Sequence, residues 1–492
     1  MRRLLKNAFV VSVDPRIGNL EGADILIEGE RIVEIRPNLA VDDAEVIDAS
    51  GYIASPGFVD THHHVWQSLV RGITADWSLG DYLAGIRLFV ASHYTPADMY
   101  LGQLGGTLQA LNVGVTTTAD YCHNLNSPEH VEEAIRASKD SGARVVWCYG
   151  FNRPPLPEQA FATLESRCDY LRRVAAQHFS SRATLVTLGV CPEEILFWPD
   201  METGRKQFDL ARELGVRQFW HANSTRDAIT GAYRRDADRA LAAGLLGSDT
   251  VLVHMNHTPE DEWVRVADAG CHLSVTPETE MQMNMGWPAL SAAESHGVNI
   301  GVGVDIISNN SADLRFQLRL LLQNERWARS KDRSGIVSSH VPLDAARALY
   351  WGTMGGAKAV GLDDQIGSLS PGKKADILLH DTRHIMLAGW SRTDPEGTLI
   401  LQCGSETLSD VLVAGQFVKR DGRLVADTSA LSRRLELSRV ALIERMDGAG
   451  GLQNALREQL KRFVHLSAET GRTVIGLDRS DKEELAPTTT IV

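Results

Sequence analysis

The sequence predicts an α/β protein: a (β/α)8 TIM barrel with a small β-sandwich domain built from the N- and C-terminal segments. Three observations carry this reading. Short apolar strand-like runs alternate with helix-length stretches through the middle of the chain, four of those runs end in His or Asp, and β-rich blocks flank the alternation on both sides. At 492 residues the chain exceeds an ordinary single domain, yet a barrel of this class absorbs roughly 250 to 400 residues with its insertions.

From the N-terminus, Asn7 to Val13, Ala23 to Glu28, Arg31 to Arg36 and Glu45 to Asp48 read as strands, broken by Gly22, Gly29-Glu30 and Asn38. A matching block returns late in the chain, where Ala375 to Leu379 and Val411 to Val418 surround Gly415-Gln416 and Gly422. Neither block can bury a core alone, so the two are expected to share one sheet domain. Between them a strand ending at His62 is followed by Val113 to Asp120, Arg144 to Tyr149, Thr184 to Val190, Arg217 to His221, Thr250 to His254, His272 to Thr276 and Asn299 to Asp305. Helix-length stretches such as Glu129 to Gly142 and Thr203 to Leu214 separate them. Eight rounds of alternation predict a closed parallel barrel, whose chemistry belongs at the C-terminal strand ends.

The expected division is therefore 1–55 for the first part of the sandwich, 56–365 for the barrel, 366–427 for the second part, 428–480 for C-terminal helices and 481–492 for a loose tail. Leu431 to Ile443 and Leu452 to Leu466 are amphipathic and suit a cover for the barrel or for a neighbouring subunit of a homo-oligomer.

With 43% hydrophobic and 23% charged residues the composition is that of a soluble globular protein. No apolar run approaches the ~20 residues of a membrane span. The opening Met1 to Lys6 faintly resembles a signal peptide, but Lys6 and Asp14 interrupt a short apolar stretch, and a cytoplasmic location is expected. Six cysteines are scattered without CxxC spacing, which fits reduced thiols. A net charge of −13, from 50 basic and 63 acidic residues, disfavours nucleic acid and anionic membranes as partners. Small neutral or cationic substrates are easier to reconcile with it.

The candidate chemistry begins at Asp60-Thr61-His62-His63-His64, just after Pro56-Gly57-Phe58-Val59. Side chains alternate along a strand, so His62 and His64 point one way and His63 another. Two imidazoles from one rigid strand can grip a borderline-soft divalent metal if later segments supply further ligands. The strand ends at His221, His254 and Asp305 are such segments.

These residues, in this order, resemble the amidohydrolase superfamily, in particular its cytosine deaminase, 8-oxoguanine deaminase and triazine hydrolase branch. The match runs through Pro56 to His64 with Gln67 and Arg71, Gly114-Val115-Thr116-Thr117-Thr118, Glu213-Leu214-Gly215-Val216 before His221, the His254 strand, Asp305 with Asn309-Asn310-Ser311, and Gly367-Ser368-Leu369 to Gly372-Lys373-Lys374-Ala375-Asp376, over roughly residues 1–425. The resemblance implies one divalent ion, zinc or else iron, held by His62, His64, His221 and Asp305, with His254 beside the attacking water. Binuclear relatives carry a lysine at the end of strand four; Thr184 to Pro192 offers none. Asp305 is expected to move a proton from that water to the leaving group, and His254 to stabilise the developing oxyanion. The implied reaction is hydrolysis at a C–N carbon of a small nitrogen heterocycle with loss of ammonia or an amine.

One position departs from the family pattern. Deaminases of this type usually place a glutamate three residues after the strand-five histidine, and here that residue is Ser224. A serine without an activating partner is a poor acid and a poor base near neutral pH. Glu280 and Glu278, in the loop after strand seven, are the candidate substitutes, Glu280 for catalysis and Glu278 for substrate contact; Gln67 and His123 are further substrate-contact candidates. Trp66, Trp220, Met281, Met283 and Trp287 read first as packing and second as stacking surfaces for a flat ring, and His63 and His257 as structural. Strand four ends in Cys191-Pro192-Glu193-Glu194 where adenosine-type deaminases have a substrate-binding histidine, so adenosine-like substrates are not expected. Two rivals stand beside deamination: hydrolytic loss of chloride or an alkylamine from a ring, and a non-catalytic scaffold.

Overall fold

The polypeptide changes domain at Gly57, where any Cβ would overlap the Thr116 side chain. Ahead of it run β1 (Arg2–Val11), β2 (Asn19–Glu28), β3 (Arg31–Arg36), β4 (Glu45–Asp48) and β5 (Tyr52–Pro56). Beyond it come β6 (Phe58–His63), β7 (Val115–Cys122), β8 (Arg144–Gly150), β9 (Val186–Cys191), β10 (Gln218–Ala222), β11 (Thr250–His254), β12 (His272–Val275) and β13 (Asn299–Val302). These eight strands close into a barrel with parallel pairing throughout. The structure, a computed structural model, describes residues 1–152, 156, 160–227, 230–458 and 460–461.

The late strands β14 (Ile377–Asp381), β15 (Leu408–Val413), β16 (Gln416–Arg420) and β17 (Arg423–Leu424) return to the N-terminal block. β14 pairs antiparallel with β5, giving a nine-stranded sheet in the order β17-β16-β15-β14-β5-β1-β2-β3 with β4 attached to β1. Leu5, Val10, Ile25 and Ile27 from the first block are buried against Leu369, Ile377 and Leu412 from the second. Two segments that each lack a core obtain one by sharing it.

A buried ion pair ties this sheet to the barrel. Arg144, at the start of β8, donates from Nε and Nη2 to the two carboxylate oxygens of Asp376, at 2.9 and 3.0 Å. Asp376 Oδ1 also accepts the backbone N–H of Ala414 at 2.7 Å. The bidentate geometry and the extra donor are what offset the desolvation of both charges.

Most elements fall within a few residues of their expected limits, and two differences bear on function. Strand eight ends at Val302 rather than Asp305, which instead adopts φ +70°. The turn lets its backbone bond twice to the first barrel strand, Asp305 N–H to the His62 carbonyl at 2.8 Å and His64 N–H to the Asp305 carbonyl at 2.7 Å. Residues 83–90 form a π-helical turn that continues the short helix Leu79–Tyr82 beside the strand ends. At the C-terminus the helix Thr428–Gly448 lies on Pro96–Asn112, anchored by Arg445 and Ser438 on Asp98. The expected second helix is present over 452–458; its portion past 461 and the tail lie outside the described residues.

Removing one charge of the Arg144–Asp376 pair strands the other in the interior, so Asp376→Asn is expected to cost about 3–5 kcal/mol of stability. A chemical denaturation midpoint equal to that of the wild type would contradict the tie between sheet and barrel.

Candidate metal centre

β6 ends among the ring nitrogens of its own sequence. His62 and His64 turn into the barrel mouth with ring centroids 4.7 Å apart, while His63 turns away, its Nδ1 lying 2.9 Å from Asp60 Oδ2 in full burial. Alternation along the strand is the cause. β10 brings His221 Nε2 to 3.2 Å from His62 Nε2. The turn after β13 brings Asp305 Oδ1 to 3.2 Å from His62 Nε2 and 3.4 Å from His64 Nε2. The donors of His62, His64 and His221, and of His62, His254 and Asp305, each gather within 4.8 Å of one another.

This donor set suits one divalent cation. Two ligands on a tetrahedral ion with ~2.0–2.1 Å bonds stand about 3.3 Å apart, and the separations here are 3.2 to 3.4 Å. Burial keeps the imidazoles neutral with a lone pair to give: it holds His62 down to about 3 and places His64 and His221 below the usual histidine value. Burial alone would raise the Asp305 carboxyl, but the hydrogen bond and charge of His62, with His254 and His221, pull it well below the carboxylate range. The site therefore offers three neutral nitrogens and one anionic oxygen.

Neighbouring groups hold each ring. His64 Nδ1–H donates to the Tyr121 carbonyl at 3.0 Å, so its Nε2 faces the centre. His221 lies flat on Tyr121, centroids 4.4 Å apart and planes 15° from parallel, and its Nδ1 meets Glu194 Oε1 at 2.9 Å. His254 stacks on His221 at 5.3 Å, and its Nδ1 faces Glu280 Oε1 at 3.2 Å and Thr276 Oγ1 at 3.1 Å. Although burial lowers His254, the Glu280 bond and the charge of Asp305 outweigh it and the net shift is upward. His254, Met255 and Asp305 all have left-handed backbone, at φ +75°, +57° and +70°. Such conformations cost of order 1–3 kcal/mol each, and here they aim side chains at one point.

A cavity of about 310 Å³ opens over the centre. Its apolar wall includes Leu79, Leu83, Phe197, Met283, Met285 and Ile306, and its polar groups include Tyr82, Arg87, Glu194, Ser224 and Asp305. Four of the expected contacts do not reach it. Glu278 turns toward the helix Leu314–Ser330, accepting from Gln317 Nε2 at 2.6 Å. Glu280 is fully buried behind His254. Gln67 stands one layer back, donating to the Tyr82 hydroxyl at 2.7 Å and accepting from Ser308 at 2.9 Å. His123 packs on His64 at 4.3 Å and accepts from Trp66 Nε1 at 3.2 Å. For the two glutamates the reason is that the loop after β12 winds at once into the helix Pro277–Gln282, which directs both into packing.

Among the ring-stacking candidates only Met283 lines the cavity. Trp66 and Trp220 are fully buried, and Trp287 sits outside against Trp327. His257 is tied to the Met285 carbonyl at 2.6 Å. The sequence reading missed Arg87, Tyr82 and Glu194. Only Glu194 carried a signal, its place directly after the fourth strand; the other two come from an insertion whose conformation no motif marks.

Comparison with known proteins agrees with this geometry. The model of the family described as "Amidohydrolase family" matches residues 53–418. A 5-methylthioadenosine/S-adenosylhomocysteine deaminase of Desulforudis audaxviator is 28% identical over 457 residues, covering 90% of this chain and all of the relative (100%). A 5'-deoxyadenosine deaminase of Methanosarcina mazei is 24% identical over 458 residues, covering 90% and 99%. Among solved structures, an adenosine deaminase from Xanthomonas campestris with bound zinc superposes at TM-score 0.77 with 21% identity, over 89% of this chain and 98% of that one. A variant atrazine chlorohydrolase from Arthrobacter aurescens complexed with zinc and atraton gives TM-score 0.77 at 22% identity, over 89% and 99%. At these identities the structures speak to the fold.

His221→Ala deletes one nitrogen from the donor set and is expected to abolish retention of a divalent metal through gel filtration. Elemental analysis showing wild-type metal content in the variant would sink the assignment of the centre.

Proposed function

Because the chain belongs to the amidohydrolase family, matched across residues 53–418, we propose that it is a mononuclear metal-dependent hydrolase that deaminates a small nitrogen heterocycle. The observation that carries this reading is the convergence of His62, His64, His221 and Asp305 at the floor of a cavity large enough for a heterocycle. Zinc is the cation of choice, since neutral imidazoles with one carboxylate suit it and two neighbours in fold were solved with it.

When bound, the cation lowers the pKa of a coordinated water from about 15.7 toward ~7. Among the described residues Asp305 is the one carboxylate within reach of both His62 and His64, and it accepts the proton of the attacking water and passes it to the leaving amine. His254, held by Glu280 and stacked on His221, points its Nε2 at the same space and donates to the oxyanion that forms as the C–N carbon becomes tetrahedral. Glu280 serves through His254 and touches no substrate. Ser224 lies on the cavity wall and has no carboxyl group of its own, and Asp305, at the centre, is the group assigned ring protonation in its place.

The relatives named as deaminases of adenosine derivatives argue against the exclusion drawn from strand four, and 5'-modified adenosines head the substrate panel. The second reading, hydrolytic loss of another leaving group from a ring, is favoured by the serine at 224 and by the likeness in fold to an atrazine chlorohydrolase.

Ammonia release is expected from at least one of a panel of 5'-modified adenosines, purines, pyrimidines, pterins and aminotriazines, to be lost on chelation and restored by zinc. Chloride or alkylamine release with no ammonia would transfer the assignment to the second reading. Glu280→Gln is expected to lower kcat roughly 10- to 100-fold with little change in KM, as loss of a group that orients a catalytic imidazole does; unchanged kcat would remove Glu280 from the machinery.

A further inference from the structure

We propose that Glu194 is a positioning residue of the metal centre: its carboxylate, clamped by Arg87 and Asn152, fixes His221 with hydrogen on Nδ1 and the Nε2 lone pair aimed at the cation. The inference rests on the metal-dependent reading above, but not on the identity of the substrate.

The clamp is complete on the carboxylate side. Arg87 donates from Nη1 to Oε1 at 2.6 Å and from Nη2 to Oε2 at 3.4 Å, and Asn152 Nδ2 donates to Oε2 at 2.9 Å. His221 Nδ1 stands 2.9 Å from Oε1, while its Nε2 lies 3.2 Å from His62 Nε2 on the other side of the ring. A carboxylate accepts and cannot donate when ionised, so the hydrogen of the neutral imidazole belongs on Nδ1. With Arg87 and Asn152 both donating to the Glu194 oxygens, the carboxylate is the acceptor in its contact with His221.

The backbone carrying Glu194 is pinned just as firmly. Glu193 N–H donates to Gln207 Oε1 at 2.8 Å, its carbonyl accepts from Trp220 Nε1 at 2.9 Å, and the Pro192 carbonyl accepts from the Tyr121 hydroxyl at 3.2 Å. Trp220 precedes His221 in β10, and Tyr121 is the ring on which His221 lies. The same two side chains thus fix the ligand and the segment that orients it. Arg87 comes from the π-helical turn 83–90, so the ligand's orientation depends on an element far from any metal-binding motif.

The test measures zinc affinity of the full-length protein by competition with a chromophoric chelator, and the visible spectrum of the cobalt(II)-loaded form. Glu194→Gln is expected to weaken zinc binding 10- to 100-fold and to shift the cobalt bands, whereas Glu280→Gln, which acts on His254, keeps wild-type affinity. Because Glu194→Gln strands the Arg87 charge, the double variant Arg87→Met/Glu194→Gln is measured beside it, with the same weakening expected. Wild-type affinity in either Glu194 variant, or equal weakening in Glu280→Gln, overturns the assignment. A wild-type protein that binds zinc but releases no ammonia removes only the substrate reading; one that binds no zinc overturns both.

Discussion

Everything at the centre depends on the closure of β13 against β6. Residues 243 positions apart, His62 and Asp305, meet because the last barrel strand pairs with the first, Val302 beside Asp60, and because the backbone of Asp305 then bonds to His62 and His64 on either side. An open sheet would leave the carboxylate at one edge and the imidazoles at the other. Closure also keeps water from most of the site, and the resulting desolvation is what leaves the imidazoles neutral.

Low dielectric makes every unmatched charge costly, and the site answers this one group at a time. Asp305 is faced by imidazoles, Glu194 by Arg87, and Glu280 by His254 and the backbone and hydroxyl of Thr276. The consequence is rigidity: none of these groups can move without breaking a bond to a partner. Left-handed residues at the ends of β11 and after β13 are tolerated there because the surrounding hydrogen bonds determine them.

The terminal sheet plays its part at a distance. It places β5 and β14 beneath the start of the barrel and is locked to β8 through the Asp376 carboxylate. The run Gly372-Lys373-Lys374-Ala375-Asp376 is therefore structural in this chain, Lys374 pairing with Glu30 of the N-terminal block and Asp376 with the barrel.

The sequence by itself determined the barrel and the shared sheet, because strand alternation and turn residues are local patterns whose meaning survives without coordinates, and it nominated His62, His64, His221 and Asp305 as candidate donors through their place at strand ends and their resemblance to the amidohydrolase pattern. It could not place Glu278, Glu280, Gln67 or His123, since whether a loop side chain faces a cavity or its neighbour's packing turns on a rotation of the backbone that no spacing records. Only the tertiary structure decided that Glu194, from the segment after β9, and Arg87, from a turn inserted after β6, stand beside His221. Their contact lies between segments with no sequence register in common, and a buried ion pair of that kind is specified by how the chain packs rather than by any stretch of it.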